Sequence, residues 1–405
     1  MKILVINSGS SSIKYQLFDM TRKEVMTSGL IERIGLENGR VVHRRYNGGE
    51  EREVPKKTSV PNHEEGLRII ADLLVDPEHG AITHTSEVDA VGHRVVHGGE
   101  HFSATTLINE EVLETIRRLI PLAPLHNPPN LEGIEVAMKI FPQARQVAVF
   151  DTAFHQTMPP KAYRYAIPNS FYTEHGVRVY GFHGTSHRYV ARMAAEYLGK
   201  PLGETNLITA HLGNGASITA IRNGKSIDTS MGFSPLPGLV MGTRSGDIDP
   251  AVIFYMANGL GMSMDEIDTV LNKKSGLLGL AGSSDLRDIL KKNEGGDSKA
   301  ALALSLYTYR IKKYIGAYLA VLGRVDALVF TAGVGENSPY IRWHACEGLT
   351  RLGISLDREK NEAKIRGITE IHGNDSSVSV LVIPTNEELE IALQTEALIK
   401  TAKTL

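Results

Sequence analysis

The stretch Leu207–Ile221 reads LITAHLGNGASITAI and has the pattern of two short strands joined by a glycine turn. Apolar residues alternate with polar ones before the turn, and Ile218, Ala220 and Ile221 continue the apolar pattern after it. An Asn-Gly pair between two strand-like runs favours a hairpin. The small residues of the turn also allow backbone N–H groups to approach an anion closely. The stretch therefore predicts a hairpin whose turn can bind phosphate.

The N-terminus carries a looser version of the same pattern. Residues 2–7 form an apolar strand-like run, 8–12 a small polar turn, and 13–19 a second strand-like run. Two strand–loop–strand motifs about 200 residues apart suggest two related lobes that face one nucleotide.

The composition is that of an ordinary globular protein. The 405 residues predict two domains. A net charge of −2 gives no basic footprint for nucleic acid or a membrane surface, so neither is an expected partner. Only four apolar residues follow Met1-Lys2, too few for a signal peptide, and no run reaches the ~18 apolar residues of a membrane span. The single Cys346 is expected to be a buried thiol in a reducing, cytoplasmic compartment.

Strand-like and helix-like segments alternate along the chain, which favours an α/β fold. Residues 146–150 are predicted as a short apolar strand that ends at Asp151. Residues 121–130, PLAPLHNPPN, are predicted as a proline-rich loop, and 232–246 as a long loop of the kind that is usually functional. Asp297 is expected to cap a helix whose apolar stripe, including Tyr307, faces the core.

The common nucleotide and zinc motifs are missing. Gly224-Lys225-Ser226 has the tail of a P-loop, but Thr219 stands where that motif needs glycine. Two Gly-x-Gly segments begin like a dinucleotide fingerprint, but Ile218 and Ser338 occupy the position of its third glycine. The sequence has no HExxH motif and no pair of cysteines, so it indicates no zinc site.

Seven motifs, in order along the chain, resemble those of the acetate kinase family. They are NSGSSSIK at 7–14, GHRVVHGG at 92–99, VFDTAFH at 149–155, GFHGTSH at 181–187, AHLGNGAS at 210–217, MGTRSGD at 241–247 and PTNEE at 384–388. The match extends over nearly the whole chain, so chance does not account for it.

The resemblance implies two duplicated ribonuclease-H-like domains, the fold of the actin-like ATPases, with an interdomain active-site cleft. It also implies a homodimer. The first domain is expected at residues 1–150, completed by the C-terminal helix at about 386–405. The second, nucleotide-binding domain is expected at 151–385.

The implied reaction is reversible transfer of a phosphoryl group from ATP to acetate, which gives acetyl phosphate and ADP. The reacting carboxylate and γ-phosphate are both anions, so the protein must position them in line and neutralise their charge. Arginine side chains, Mg²⁺ and backbone N–H groups around the phosphoryl group would do this.

The resemblance assigns four groups of residues. The catalytic residues are Asp151, His183 and Arg244. Acetate is bound by Arg94 and by the apolar residues Val96, Leu125, Phe182 and Pro235. The nucleotide is bound by Lys14, His211, Leu212, Gly213, Asn214, Gly215, Asp285, Leu286, Arg287, Gly333, Val334, Gly335, Glu336 and Asn337. Magnesium, for which manganese would substitute, is bound by Asn7 and Glu387.

Several of these residues also have ordinary structural interpretations. Taken alone, Arg94 and Arg244 are typical salt-bridge partners, and His183 is typical of a local hydrogen-bond partner before a helix that starts at Thr185 or Ser186. Residues 213–215 fit a plain hairpin turn, and the four apolar residues of the acetate pocket fit a hydrophobic core.

The remaining charged residues have similar alternatives. Glu387 would favour the dipole of a helix's first turn, and Lys14 would be a solvated strand residue. Asp285 and Arg287 would be helix-start charges. Asp151 would be a turn residue at a strand end; as a catalytic residue it is not needed as a general base, because acetate is already ionised at neutral pH. We expect it to orient an arginine or the hydration shell of Mg²⁺.

Two other functions stay open. A propionate or butyrate kinase of the same family differs by one or two methylenes, each worth only ~1–3 kcal/mol in an apolar pocket. Val96 suggests a confined pocket without giving its volume. An ATPase chaperone or filament protein would share the fold but not the chemistry. Such proteins need a peptide-binding module or polymerisation surfaces, and the sequence shows no appended domain.

Overall fold

The computed structural model describes residues 1–47, 50–57 and 59–402. The strands within these residues are β1 (Lys2–Ser8), β2 (Ser12–Asp19), β3 (Glu24–Glu32), β4 (Arg40–Asn47), β5 (Glu50–Lys57), β6 (Ala90–Val95), β7 (Thr106–Leu107), β8 (Arg145–Phe150), β9 (Leu207–Leu212), β10 (Ala216–Arg222), β11 (Lys225–Thr229), β12 (Ala327–Thr331), β13 (Thr369–Glu370) and β14 (Ser379–Val382). The α-helices are α1 (His63–Val75), α2 (Glu110–Arg118), α3 (Asn127–Ile140), α4 (Pro160–Tyr163), α5 (Ser170–Thr173), α6 (Gly184–Tyr197), α7 (Ala251–Asn258), α8 (Met264–Lys273), α9 (Gly276–Ala281), α10 (Leu286–Glu294), α11 (Ser298–Leu322), α12 (Ala332–Asn337), α13 (Pro339–Cys346), α14 (Arg358–Glu362) and α15 (Glu387–Ala402).

The chain divides into two compact units. The first unit comprises Met1–Phe154 and the C-terminal segment from Asn386, and the second comprises His155–Thr385. Asp151 therefore lies in the first unit, although the sequence placed the start of the second domain at that residue. Residues 403–405 of the predicted C-terminal element lie outside the described residues.

The first unit is built on an eight-stranded sheet in the order β5-β4-β3-β2-β1-β6-β8-β7. β1 pairs antiparallel with β2 and parallel with β6, and β6 pairs parallel with β8. Along β1, Ile3 and Val5 join the apolar cluster formed with α15, whereas Leu4 and Ile6 join the cluster formed with α1 and α3. Because side chains alternate between the two faces of a strand, β1 is buried on both sides.

The C-terminal helix lies close against this sheet. A Cβ atom added at Gly92 of β6 would lie 2.6 Å from Thr395 Oγ1 and 2.9 Å from Ile391 Cγ2, both on α15. Glycine is therefore required at position 92 for the helix to approach the strand. This contact makes the last helix part of the first unit.

The second unit repeats the pairing pattern of the first. Its six-stranded sheet has the order β11-β10-β9-β12-β14-β13. β9 pairs antiparallel with β10 and parallel with β12, and β12 pairs parallel with β14. The run β3-β2-β1-β6-β8 in the first unit has the same succession of antiparallel and parallel pairs. Each sheet thus contains one of the two predicted strand–turn–strand motifs and has the same order of antiparallel and parallel pairs. This confirms the predicted α/β fold.

The prediction of a loop over residues 121–130 was wrong in its second half. Helix α3 begins at Asn127 and includes Pro128 and Pro129 in its first turn. Proline is tolerated there, because the N–H groups of a first turn have no partner within the helix and the fixed φ of proline suits it. The prolines mark the beginning of α3, not an extended loop.

Other helix boundaries differ by one or two residues from the predicted ones. Helix α6 begins at Gly184, with His183 as its N-cap, and α10 is capped by Asp285, whose side chain accepts a hydrogen bond from the backbone N–H of Arg287. Asp297 caps α11 as predicted, and Tyr307 is buried on its stripe. No helix in the described part of the chain has the length and apolar run that a membrane span requires.

Candidate active site

The turn Gly213–Gly215 joins the carboxyl end of β9 to β10 in the second unit. Gly213 N–H donates to the Gly215 carbonyl at 3.0 Å, and Gly242 N–H donates to the Asn214 carbonyl at 3.0 Å. A Cβ atom at position 242 would lie only 2.1 Å from Asn214 Oδ1. Glycine at 242 therefore lets the long loop 232–246 lie directly against the turn.

The first turn of α9 holds the loop in place. Backbone N–H groups of Leu277 and Leu278 donate to the carbonyls of Met241 and Gly242, each at 2.9 Å. Gly276 has a φ of +59°, and a Cβ atom there would lie 2.2 Å from the Met241 carbonyl oxygen. The loop is thus ordered by backbone contacts although it contains no helix or strand.

Arg244 projects from this loop, and no described carboxylate forms an ion pair with it. Its Nη1 donates to the Pro235 carbonyl at 3.2 Å and lies 3.7 Å from Met241 Sδ. No ion pair involves Arg244 within the described residues, and burial lowers the pKa of its guanidinium. A half-buried cation of this kind can bind an anion, because the anion would replace the water that burial has removed.

The ring of His183 lies beside Arg244. A Cβ atom added at Gly215 would be 3.5 Å from Arg244 Nη1 and 3.5 Å from His183 Nε2. His183 has a left-handed φ of +56°, and its ring stacks on that of His211 with centroids 4.2 Å apart. The structure therefore brings these three side chains together at the glycine turn.

A cavity of about 530 Å³ opens beside the turn in the second unit. Eight of the predicted nucleotide residues line it: Gly213, Asn214, Asp285, Leu286, Arg287, Gly333, Val334 and Asn337. Asp285 and Arg287 form a two-pronged ion pair with each other, with a shortest N–O distance of 2.6 Å, so their helix-start role and their position in the cavity coexist. The size and the mixed lining of the cavity are typical of a small-molecule site.

The sequence did not predict three further apolar or aromatic residues of this cavity as nucleotide contacts. Leu277, Leu290 and Tyr307 also line it. Leu290 follows Leu286 by four residues on α10, so helical spacing could have identified it. Tyr307 was predicted as a core residue and is buried, but it also lines the cavity.

Arg342 contacts the segment 333–337 and was not among the predicted site residues. Its guanidinium, 1% exposed, donates to the carbonyls of Gly335 and Glu336, each at 2.9 Å, and to the side chain and carbonyl of Asn361 at 2.8 and 2.7 Å. Burial lowers the pKa of Arg342 to about 10. Arg342 thus holds the end of α12 through the two backbone carbonyls. In addition, Glu336 Oε1 accepts a hydrogen bond from Thr385 N–H at 3.1 Å.

We expect Arg342→Leu to lower the free energy of unfolding of the second unit by ~2–4 kcal/mol, because buried carbonyls lose their donors. Nucleotide affinity should fall as well, because the segment 333–337 loses its anchor. Chemical denaturation and ATP titration measure the two effects. Arg358→Leu is the matched control: its side chain is 76% exposed and pairs with Glu362, so it should change stability by less than ~1 kcal/mol. Equal losses in the two variants would contradict the anchoring role.

In the first unit, Arg94 and Asp151 meet at the carboxyl edge of the sheet. Arg94 is the penultimate residue of β6, and Asp151 directly follows the neighbouring parallel strand β8. Arg94 Nε and Nη2 both donate to Asp151 Oδ2, at 2.9 and 2.6 Å, and Asp151 is 1% exposed. Burial works to lower the pKa of Arg94, but the charges of Asp151 and nearby Glu387 outweigh it and raise that pKa. Asp151 therefore orients Arg94.

The predicted metal residues lie at the same end of this unit. Asn7 is the penultimate residue of β1 and lies opposite Lys14 of β2, and Glu387 begins α15, which packs on β1. Burial raises the pKa of Glu387, and the charges of Asp151 and Glu388 add to that rise. Lys14 forms an ion pair with Glu388, so the prediction that Lys14 contacts phosphate competes with this pairing.

The oxygen donors around Glu387 suit a hard cation such as Mg²⁺. Carboxylates that repel one another and an amide oxygen are the ligand types that Mg²⁺ uses, with water completing its shell. Over the described ranges, no three His, Cys, Asp or Glu side chains are grouped as in an all-protein metal site. The residues present thus fit an ion held by one amide and one carboxylate.

The four predicted acetate-pocket residues are divided between the units. Val96 and Leu125 belong to the first unit; Val96 is half-buried and Leu125 is 59% exposed. Phe182 and Pro235 belong to the second unit, where Phe182 is buried and the Pro235 carbonyl accepts from Arg244.

His93 and His97 are buried and lie close to Arg94 in the sequence. We expect them to make the stability of the first unit sensitive to acid. Burial lowers the pKa values of His93 and His97 to about 4, from an ordinary value of 6.5. A histidine with a lowered folded pKa binds its proton more readily when unfolded, so stability falls as pH drops from 6.5 towards 4. At pH 5, each should cost ~2 kcal/mol relative to neutral pH.

Denaturation of the chain at pH 7 and pH 5 measures this loss. His93→Gln, which keeps a side-chain donor for the Gln146 amide oxygen that His93 contacts at 2.8 Å, should remove about half of it. The exposed His101→Gln should leave the pH dependence unchanged. A wild-type stability that is the same at both pH values would refute the prediction.

Comparisons with known proteins match this chain over nearly its full length. The profile of the acetokinase family matches residues 2–393. An acetate kinase from Thermotoga maritima is 56% identical over 403 residues, 99% of each chain. The crystal structure of Porphyromonas gingivalis acetate kinase superposes with a TM-score of 0.93 at 47% identity, covering 98% of this chain and 99% of that one. A propionate kinase from Francisella tularensis gives 0.90 at 45% identity, covering 97% and 98%. The resemblance that the motifs indicated is confirmed: the chain belongs to the acetokinase family.

Proposed function

We propose that the chain catalyses reversible, Mg²⁺-dependent transfer of a phosphoryl group from ATP to acetate. The main support for the proposal is the environment of Arg244. Its guanidinium is half-buried beside His183 and the glycine turn, and no described carboxylate pairs with it. A transferred phosphoryl group, which carries charge on three equatorial oxygens, is the anion that such an arrangement suits.

The nucleotide is assigned to the second unit. The cavity beside the turn accommodates adenosine, with Asp285 and Arg287 at its rim and Gly333–Val334 at its wall. The turn 213–215 then receives the phosphates, and Arg244 and His183 receive the γ-phosphoryl group. The ion pair between Asp285 and Arg287 would open or shift to contact the ribose and base.

The acceptor carboxylate is assigned to Arg94. Asp151 accepts from Nε and Nη2 of Arg94, whereas Nη1 donates to none of the residues that the structure describes. Acetate can therefore bind the edge of the guanidinium that Asp151 leaves open. This gives Asp151 a positioning role, in line with an acceptor that needs no general base.

The reaction follows from this assignment. An acetate oxygen attacks the γ-phosphorus in line, and the bond between that phosphorus and the bridging oxygen of ADP breaks. No proton has to move, since acetate and the leaving ADP are both anions. Arg244 and His183 hold the equatorial oxygens, and Arg94 holds the carboxylate. When bound at Asn7 and Glu387, Mg²⁺, or Mn²⁺ in its place, supplies positive charge to the phosphates.

Acetate is the first candidate acceptor and propionate the second. Propionate is kept because a relative of 45% identity is named a propionate kinase. The predicted pocket residues are all apolar, so one extra methylene changes binding by only ~1–3 kcal/mol. Both acids are therefore expected to react, with acetate preferred.

The assembly is proposed to be a homodimer through α7. The helix has no buried residue, and its neighbourhood exposes Val252, Phe254, Tyr255, Leu260 and Met264, each by 42–65%. Apolar surface of this kind is typical of a self-association face. We expect Phe254→Glu to yield a monomer by light scattering, whereas Ile167→Glu, at another exposed apolar position of the same unit, should not. A variant at 254 with an unchanged mass would refute this face.

A cytoplasmic location is proposed on the chemistry of Cys346. It is the single cysteine of the chain and is buried as a free thiol. Burial raises its pKa to about 12, so it stays an unreactive thiol, which suits a reducing compartment.

The experiment that tests the proposed function is acyl-phosphate formation from ATP and Mg²⁺, trapped as the hydroxamate. Acetate should give the highest kcat/KM, followed by propionate and then butyrate. Folded protein that binds ATP but yields no acyl phosphate with any of the three acids would overturn the proposal. It would make an ATPase scaffold the better hypothesis.

A further inference from the structure

Four buried or half-buried side chains of the second unit form an unbroken hydrogen-bonded line. Thr209 Oγ1 lies 2.7 Å from His187 Nδ1, and His187 Nε2 lies 2.8 Å from Ser217 Oγ. Ser217 Oγ in turn lies 2.9 Å from His183 Nδ1. Thr209, His187 and Ser217 are all fully buried, so water does not complete their hydrogen bonds. The direction of this line decides which nitrogen of His183 carries hydrogen.

The direction of the hydrogen bonds can be derived from the Thr209 end of the line. The Thr209 hydroxyl has one partner among the described residues, His187 Nδ1. A hydroxyl donates one hydrogen and accepts on two lone pairs. A buried hydroxyl hydrogen without an acceptor costs ~1–3 kcal/mol of stability. A hydroxyl that donates its hydrogen but accepts none costs less. Thr209 therefore donates, and His187 Nδ1 accepts.

His187 is neutral, which fixes its other nitrogen. The ring is fully buried and lies 5.8 Å from the ring of His155 and 6.2 Å from that of His211. Burial holds the pKa of His187 well below 6.5, and the two neighbouring histidines add to the effect. A neutral imidazole carries one hydrogen. Because Nδ1 accepts, the hydrogen is on Nε2, which donates to Ser217 Oγ.

Ser217 passes the direction on to His183. Its oxygen accepts from His187, so its own hydrogen points to its one other partner among the described residues, His183 Nδ1. A neutral His183 whose Nδ1 accepts carries its hydrogen on Nε2. That nitrogen is the one that lies beside the Gly215 turn and Arg244 Nη1.

We propose that Thr209, His187 and Ser217 form a one-way hydrogen-bond relay that fixes His183 as the Nε2–H tautomer and so presents a donor to the transferred phosphoryl group. The relay itself is a property of the folded second unit. Its use as a phosphoryl donor rests on the proposed function. With the relay reversed, His183 would present a lone pair to phosphate oxygens and repel them. Thr209, His187 and Ser217 are thus positioning residues that act through His183.

A neighbouring serine–histidine pair makes the same kind of hydrogen bond outside the relay. His155 Nε2 donates to the Phe182 carbonyl at 2.9 Å, so its Nδ1 accepts from the Ser226 hydroxyl at 2.9 Å. Ser226, like Ser217, is a fully buried serine that donates to histidine Nδ1. It is therefore a matched control for the same chemical change at a histidine outside the relay.

The test is ¹⁵N–¹H correlation NMR of the full chain with labelled histidine, without ligand. Ring-nitrogen shifts report which nitrogen bears hydrogen, and His183→Gln and His187→Gln assign the two signals. Wild-type His183 and His187 should both be Nε2–H tautomers. This measurement needs no activity, so it separates failure of the relay from failure of the proposed function.

Variants then break the relay at two points. Ser217→Ala should move His183 to a mixture of tautomers and lower kcat about 10–100-fold, with the KM for ATP within about threefold. Thr209→Val, which removes the terminal donor without changing shape, should shift the His187 signal first. Ser226→Ala should leave the His183 signal in place and kcat within about twofold.

The outcomes are decisive. An Nδ1–H tautomer of His183 in the wild type overturns the relay, whatever the variants do. An unchanged His183 signal in folded Ser217→Ala also overturns it, even if activity is lost. If Ser217→Ala fails to fold, the wild-type tautomers and Thr209→Val still decide the question. The expected tautomers in a chain that makes no acyl phosphate would keep the relay and reject its catalytic use.

Discussion

Arg244→Ala is expected to lower kcat for acetyl phosphate formation by about 10²–10³-fold, with the KM for ATP changed by less than about threefold. The guanidinium lies beside His183 and the glycine turn, where the proposed reaction would develop charge on the phosphoryl group. Removing one preorganised donor from such a position costs ~3–4 kcal/mol of transition-state stabilisation. Steady-state kinetics with the hydroxamate readout measure both parameters.

Two further variants control this result. Arg244→Lys keeps a charge but loses the planar set of donors, so it should recover only part of the activity. Arg222→Ala removes an arginine of the same unit that donates to the carbonyls of Val321 and Leu322, and should keep kcat within about twofold. If Arg244→Ala raised the KM for ATP by as large a factor as it lowered kcat, Arg244 would bind the nucleotide and not only the transition state.

Arg94→Ala is expected to lower kcat/KM for acetate by about 10²–10³-fold and to leave the KM for ATP almost unchanged. The expected loss has two parts, because the proposed acetate clamp is removed and Asp151, 1% exposed, loses the two hydrogen bonds that it accepts from Arg94. Truncating one partner of a buried charge pair costs ~2–5 kcal/mol. Acetate saturation curves, with stability measured in parallel, separate the binding effect from the folding effect.

The double variant Arg94→Ala/Asp151→Ala tests how the two residues act together. If Asp151 acts through Arg94, its removal should add little to the loss of kcat/KM and should restore part of the stability. Arg117→Ala, at an exposed arginine of the same unit that pairs with Glu114 and Glu135, should behave as wild type. Fully additive losses of activity would contradict the positioning role of Asp151.

The local signals in the sequence carried much of the fold. The hairpin at Leu207–Ile221 was predictable because its pattern and its Asn-Gly turn are both within one short stretch. The placement of Asp151 at a strand end was predictable for the same reason. The family motifs added the other predicted acetate-binding and nucleotide-binding residues, because a local pattern pointed to a ligand only at the 213–215 turn.

Other features depend on contacts between distant residues and were therefore not predictable. Arg342 and Asn361 meet over a separation of 19 residues, and Thr209 and His187 over 22. The packing of α6 on β9 and the pairing of β9 with β10 together bring the relay residues into contact. Helix α3 was missed in its first turn because proline has opposite meanings inside a helix and at its start.

The alternatives left open for the charged residues have different outcomes. Arg94 does form a salt bridge, with Asp151 of its own unit, but its Nη1 donates to no described residue, so the structural interpretation leaves room for the proposed functional one. Arg244 forms none within the described residues, so the salt-bridge alternative has no support there. Lys14 is paired with Glu388, and its contact with phosphate stays a prediction.

The central claim is that a carboxylate oxygen attacks the γ-phosphorus of ATP directly, and oxygen labelling tests it most directly. Acetate labelled with ¹⁸O in both carboxylate oxygens is incubated with ATP, Mg²⁺ and the chain, and the acetyl phosphate is analysed by ³¹P NMR. Direct attack should leave ¹⁸O at the bridge between carbon and phosphorus, with ADP as the other product. An unlabelled bridge, or AMP and pyrophosphate in place of ADP, would contradict it.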